Sequence, residues 1–207
     1  MIKKGKLIAF IGVDGSGKTT QSNILLKEMR YLGKTAVTRK IFSFFIISLF
    51  IKILKKHKPY LKENEKAISR KRLGKNFVRQ VFLYFAVLDC WLYYLFRVLP
   101  ILYKYDYVIS DRYFYDYAPN LLRLGIGNYH NVFWFINHLP KPDYCFYLNL
   151  SGKNAFQRKK GFTLSYLNMM VELYNNLFVG FKGIIEIEAD ARIEDLKNKI
   201  QKNILLV

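Results

Sequence analysis

LIAFIGVDGSGKTTQ, residues 7–21, joins a strand-like run to the start of a helix through a glycine-rich turn. Residues 7–11 are continuously apolar, the pattern of a strand covered on both faces. Gly12, Val13, Asp14, Gly15, Ser16, Gly17, Lys18, Thr19 and Thr20 follow, and within them Gly12, Gly17, Lys18 and Thr19 fit GxxxxGK followed by Ser or Thr. In that pattern the glycines let backbone N–H groups converge on phosphate oxygens, the lysine neutralises charge and the hydroxyl faces a magnesium ion. Gly15 adds freedom, and a helix starting near Lys18 aims its positive dipole end at the same anion. Strand, loop and helix together predict a nucleoside triphosphate site.

A chain of 207 residues suits one α/β domain, residues 1–207, and domains of this size hide about 70% of the unfolded chain's surface. The formal net charge of +19 favours polyanionic partners: nucleotides, nucleic acid or an anionic membrane surface. The phosphate cradle selects nucleotides, and nucleic acid is not expected. Cys90 and Cys145 lack metal-ligand spacing, so both are expected to be reduced and buried. MIKKGK leads into the first strand without an apolar signal region, which predicts a cytoplasmic protein. Two apolar stretches, 41–54 and 81–103, read as buried or interfacial helices. The first is short for a bilayer, and the second carries Asp89, Arg97 and Pro100.

Within residues 20–32, Ile24, Leu25, Met29 and Leu32 recur at helical spacing, and Gly33 ends the helix. Residues 35–39 read as a second strand with Arg39 at its carboxyl end, the edge where open α/β sheets bind ligands. After the apolar helix at 41–54 the chain turns basic. Residues 52–79 hold eleven lysines and arginines against Glu63 and Glu65, a run suited to solvent or to anionic lipid. A long aromatic helix at 81–103 leads to a strand at 108–110, followed by Asp111, Arg112 and Tyr113. A carboxylate there can hold magnesium or its water, and the adjacent arginine can reach a transferring phosphate.

Helices are expected through Leu122 and at 132–138, until Pro140 and Pro142 break the chain before a strand at 144–150. Ser151 is placed to cap the next helix. Arg158, Lys159 and Lys160 stand at its end, and residues of about 151–165 read as a lid able to fold these cations over phosphates. A helix at 171–181, a strand at 184–187 and an amphipathic helix at 193–205 complete the chain. Alternating strands and helices imply α/β architecture: a parallel sheet with helices on both faces.

With these pieces assembled, the chain resembles the thymidylate kinase family of P-loop kinases. The resemblance rests on GVDGSGKTTQ at 12–21, ISDRY at 109–113, KPDYCFYLNL at 141–150, Ala155 with Arg158, and EIEADARIEDL at 186–196. It implies the five-stranded nucleoside monophosphate kinase fold, magnesium-dependent transfer from ATP to a nucleoside monophosphate, and a homodimer. Carried across, Lys18 and the loop amides hold the β and γ phosphates, and Thr19 and Asp111 bind magnesium. Asp14 sits near the acceptor sugar or its metal-bound water, and Arg112 bridges donor and acceptor phosphates. Position 15 is glycine where some members carry arginine, which makes the lid, with Arg158, the source of catalytic cations.

The departures fall on the acceptor side. Arg39 is followed by Lys40, Ile41 and Phe42 instead of the family's REPGG turn, and the thymine-contacting arginine falls at Cys90 or Asp89. The Ser-x-x-Ala-Tyr-Gln segment is replaced by residues 116–121. Acceptor recognition is therefore assigned to Phe85, Asp89, Tyr113 and Asp116, with Arg39 on the acceptor phosphate. The residues leave open a different acceptor (another nucleotide, a sugar or a lipid-linked group) and an ATP-binding switch with little turnover.

Overall fold

The computed structural model describes residues 4–42 and 76–205. From residue 43 onward the expected helix at 41–54 lies outside the described residues, as does the basic run up to residue 75. β1 (Lys6–Ile11) is the middle strand of the sheet. Leu7 to Ile11 are buried because β1 has a parallel neighbour on each side: β3 (Tyr107–Asp111), which sets Phe10 opposite Asp111, and β4 (Tyr144–Asn149), which sets Ile11 opposite Tyr147. β2 (Ala36–Arg39) pairs with β3, and β5 (Ile185–Glu188) with β4. The result is a five-stranded, all-parallel sheet of order β2-β3-β1-β4-β5. The chain leaves β1 toward one edge and crosses to the other after β3, so the carboxyl ends of β1 and β3 border the crevice where such sheets bind ligands.

α1 (Lys18–Tyr31) and α8 (Ile193–Leu205) pack together on one face, and Lys197 of α8 pairs with Glu28 of α1. The other face carries α2 (Asn76–Tyr93), α3 (Leu99–Lys104), α4 (Tyr117–Arg123), α5 (Tyr129–His138) and α7 (Leu164–Phe178). α6 (Gly152–Arg158) lies against α7. Ser151 caps α6 as expected, accepting from the Asn154 N–H at 3.3 Å. The strands agree with the sequence reading to within a residue at each end, with Asp111 the last residue of β3 rather than the first beyond it.

The helix expected at 81–103 is interrupted. Residues Tyr94–Val98 form a π turn between α2 and α3, and the Leu99 N–H reaches the Tyr94 carbonyl. Pro100 explains it: without an N–H, and with a ring that would strike the carbonyl four residues back, proline favours a wider turn before it. Gln80–Lys104 is long and apolar enough to cross a membrane. Leu83, Ala86, Cys90, Val98 and Leu102 nevertheless sit in the core, while Phe85, Leu88, Leu95 and Tyr103 are exposed. The penultimate helix begins at Leu164 rather than at residue 171 and ends at Phe178 rather than at 181. Thr163 starts it early by capping, accepting from the Tyr166 N–H at 3.2 Å.

Ile8 is fully buried in the middle strand. Ile8→Ala is expected to lower unfolding free energy in urea titrations by about 2–5 kcal/mol. Val179→Ala, at a site 51% exposed, is expected to stay within roughly 0.5 kcal/mol of wild type.

Candidate active site

The phosphate cradle forms where β1 runs out into α1. Gly12 has φ 142°, and a Cβ there would come within 2.7 Å of the Leu148 carbonyl oxygen on the neighbouring chain segment. Gly15 has φ 87°, and a Cβ there would press on the Ala155 carbonyl at 3.1 Å. A side chain at position 15 would therefore meet α6, and that space belongs to the lid.

Lys18 is buried at the first turn of α1, where its ammonium donates to the carbonyls of Gly12 and Val13, both at 2.7 Å. Burial pushes its pKa down to about 8, against the pull of Asp116, Asp14 and Asp111. Beside it, the Thr19 hydroxyl donates to Asp111 Oδ2 at 2.7 Å. These two hard oxygens, side by side at the carboxyl ends of β1 and β3, suit a magnesium ion, which takes one or two protein oxygens and completes its shell with water and phosphate. Among the described residues no cluster of three or more His, Cys, Asp or Glu is placed to cage a metal.

Arg112 is the one described non-glycine residue with positive φ, at 82°. A residue held in that region costs of order 1–3 kcal/mol and persists where the surroundings fix it. Here the Arg112 N–H donates to the Phe10 carbonyl, and its own carbonyl accepts from the Ile41 N–H and the Ser110 hydroxyl. The guanidinium consequently lies 5.6 Å from the Phe42 ring and donates to Asp14. Asp14 also accepts from the Lys159 ammonium at 2.8 Å. Burial alone would raise the Asp14 carboxyl, but the Lys159 hydrogen bond and the charges of Arg112 and Lys18 outweigh it and hold the pKa below its ordinary value. One carboxylate thus gathers two cations beside a third.

Asp14, Gly15, Ser16, Gly17, Lys18, Thr19, Thr20, Asp111, Arg112 and Arg158 all line one cleft of about 550 Å³, within the range of small-molecule sites. Arg158 turns to the far wall, donating to the Ala189 carbonyl at 3.2 Å, and it is Lys159 that reaches Asp14. The sequence reading assigned no role to Lys40, or to Ala189, Ala191 and Ile193, which also line the cleft. The available signals were a second cation beside Arg39 and the 186–196 resemblance.

The acceptor-side assignments divide. Tyr113 and Asp116 are corrected: both are fully buried, with their polar atoms committed to the interior. The Tyr113 hydroxyl donates to the Pro140 carbonyl at 2.7 Å. Asp116 accepts from the N–H groups of Gly12 and Tyr113 and from the Tyr174 hydroxyl. Arg39 lines a separate cavity of about 350 Å³ together with Tyr93 and Arg97. On α2, Asp89 is buried and Phe85 is exposed. Cys90 and Cys145 are free, buried thiols whose pKa burial pushes up.

No family model matches the chain. The thymidylate kinase of Plasmodium falciparum (isolate 3D7) is 31% identical over 222 residues, spanning 98% of this chain and 90% of the relative. The chain belongs to the thymidylate kinase family. The thymidylate kinase of Buchnera aphidicola subsp. Baizongia pistaciae is 26% identical, over 98% of this chain and 95% of its own. The solved structure of Candida albicans thymidylate kinase matches with a TM-score of 0.63 at 19% identity, over 98% of this chain and 92% of that one. That similarity supports the nucleoside monophosphate kinase fold. As a thymidylate kinase family member the chain is a phosphotransferase, and Lys18, Arg112 and Lys159 line its cleft.

The free Lys18 ammonium sheds its proton above about pH 8, and with it the charge that attracts phosphate. Calorimetric titration with ATP should show level affinity up to about pH 8, then a fall of up to tenfold per pH unit. Level affinity to about pH 9.5 would mean that Lys18 titrates like an ordinary lysine.

Proposed function

We propose that the protein, acting as one kinase domain over residues 1–207, transfers the γ-phosphoryl group of ATP to dTMP and yields dTDP and ADP, with magnesium, in the cytoplasm. The observation that carries this reading is the cluster of Lys18, Arg112 and Lys159 around Asp14, next to the Thr19–Asp111 pair. The named relatives supply the acceptor: both are thymidylate kinases.

In this reading the loop amides and Lys18 hold the β and γ phosphates of the donor. Thr19 and Asp111 hold magnesium, which when bound offsets phosphate charge. An oxygen of the acceptor phosphate attacks the γ phosphorus, the bond to the β–γ bridging oxygen breaks, and ADP leaves with that electron pair. Little proton transfer is required, so catalysis is alignment and charge stabilisation. Arg112 spans the two phosphates, and Asp14 keeps it and Lys159 aimed at the transfer point. Arg158, with Ala189, Ala191 and Ile193, borders the end of the cleft away from Asp14, where the donor base is accommodated. Arg39, Phe85 and Asp89 remain the acceptor-side candidates.

A homodimer is the assembly this reading favours. Phe85, Leu88, Leu95 and Tyr103 form an exposed apolar stripe along the helix, and such stripes mark interaction surfaces. Light scattering is expected to give twice the chain mass of 24.6 kDa, and Leu88→Glu to return it to a monomer. A monomeric wild type that sediments with anionic vesicles would assign the stripe to a membrane surface instead.

The deciding experiment is ADP production with magnesium against dTMP, dUMP, UMP and CMP. Turnover on dTMP is expected, lost with EDTA and reduced at least about a hundredfold by Lys18→Ala. Lys159→Ala is expected to lower kcat about ten- to a hundredfold, and more than Arg158→Ala does. Silence on all four monophosphates with ATP binding intact would overturn dTMP as the acceptor and favour a different acceptor or an ATP-binding switch.

A further inference from the structure

Asp116 is a fully buried carboxylate on the turn between β3 and α4. Its Oδ1 accepts from the Gly12 N–H at 3.2 Å and from the Tyr174 hydroxyl at 2.5 Å, and its Oδ2 accepts from the Tyr113 N–H at 3.0 Å. Three separate pieces of the fold meet on this one group: the first residue of the phosphate cradle, the turn that follows Arg112, and α7, whose first turn closes the lid segment.

The connection continues to the ammonium. Gly12 holds φ 142°, and a Cβ there would come within 2.7 Å of the Leu148 carbonyl oxygen, so no side chain fits at this position. Its N–H faces Asp116, and its own carbonyl accepts from Lys18 Nζ at 2.7 Å. A single residue therefore stands between the buried carboxylate and the phosphate-binding lysine. On the other side, α7 also carries Leu167 and Met170, which with Val13, Asp14 and Arg112 enclose a cavity of only about 30 Å³. Tyr174 is itself fixed, stacked on Tyr147 of β4 with ring centroids 5.8 Å apart and an interplanar angle of 9°. A displacement of α7 reaches the cradle through Asp116.

We propose that Asp116 is a positioning residue that couples the lid-side helix α7 to the phosphate cradle, holding Gly12, and through it Lys18, in the triphosphate-binding geometry. The coupling rests on the phosphate-cradle reading and is independent of which acceptor is used. All three groups around the carboxylate are donors, so an amide in its place turns one N–H against another, while a tyrosine lacking its hydroxyl removes the α7 arm alone.

The test is calorimetric binding of adenylyl imidodiphosphate with magnesium to wild type, Asp116→Asn, Tyr174→Phe and the double variant, each with its folded fraction measured. Per folded molecule, Asp116→Asn is expected to weaken binding about tenfold or more and Tyr174→Phe about three- to fivefold, with the double variant no weaker than Asp116→Asn alone. A residue that only stabilises the fold would lower the melting temperature and leave affinity per folded molecule unchanged. Wild-type affinity in Tyr174→Phe overturns the proposal, including where Asp116→Asn fails to fold; fully additive losses overturn it too. Because the readout is donor binding, a failure to find any acceptor does not touch this result.

Discussion

The burial of one ammonium group sets the terms for the rest of this protein. Lys18 is 5% exposed, a burial unfavourable enough to depress its pKa even though two backbone carbonyls of its own loop accept from it. It is sustained by what surrounds it. Asp14, Asp111 and Asp116 place negative charge nearby, the glycines let the loop close around it, and β1 fixes the loop's entry from the middle of a buried sheet. Under the proposed function, this dehydrated ammonium is the group that meets a nucleotide's phosphates.

The sheet order follows from the same need. With β1 central, the ends of β1 and β3 stand side by side, and Phe10 opposite Asp111 brings the Thr19–Asp111 pair and Arg112 to the cradle without any long loop. The positive φ at Arg112 turns the chain so that its guanidinium meets Asp14 while its carbonyl secures the exit of β2. α6 closes over Gly15, which places Lys159 on the same carboxylate. Cations from the β3 turn and from the lid thus share one anionic anchor.

Much of this was legible in the residues. The cradle is local in sequence and its chemistry is fixed by residue type, so Gly12 through Thr20 and the Asp111–Arg112 step could be read directly. Strands β1 and β4 could be found because residues 7–11 and 145–148 are buried on both faces. What escaped was whatever depends on direction. Tyr113 and Asp116 lie close to the DRY motif, but the turn after β3 sends them inward, and only the fold reveals the three donors awaiting Asp116. Arg158 and Lys159 are adjacent in sequence and similar in charge; the end of α6 turns one toward Ala189 and the other toward Asp14. The π turn before Pro100 changes the facing of the long helix by a register that apolar periodicity does not encode, and the Thr163 cap moved the start of α7 seven residues earlier than expected.

Under the proposed function this charge cluster moves a phosphoryl group onto a nucleotide. The most direct measurement is to follow the γ-phosphorus of labelled ATP through a single turnover with magnesium and dTMP. Label appearing in the β position of dTDP, and absent when Lys18 is replaced by alanine, is the predicted result. Label released as inorganic phosphate, or retained in ATP while dTMP is bound, would contradict it.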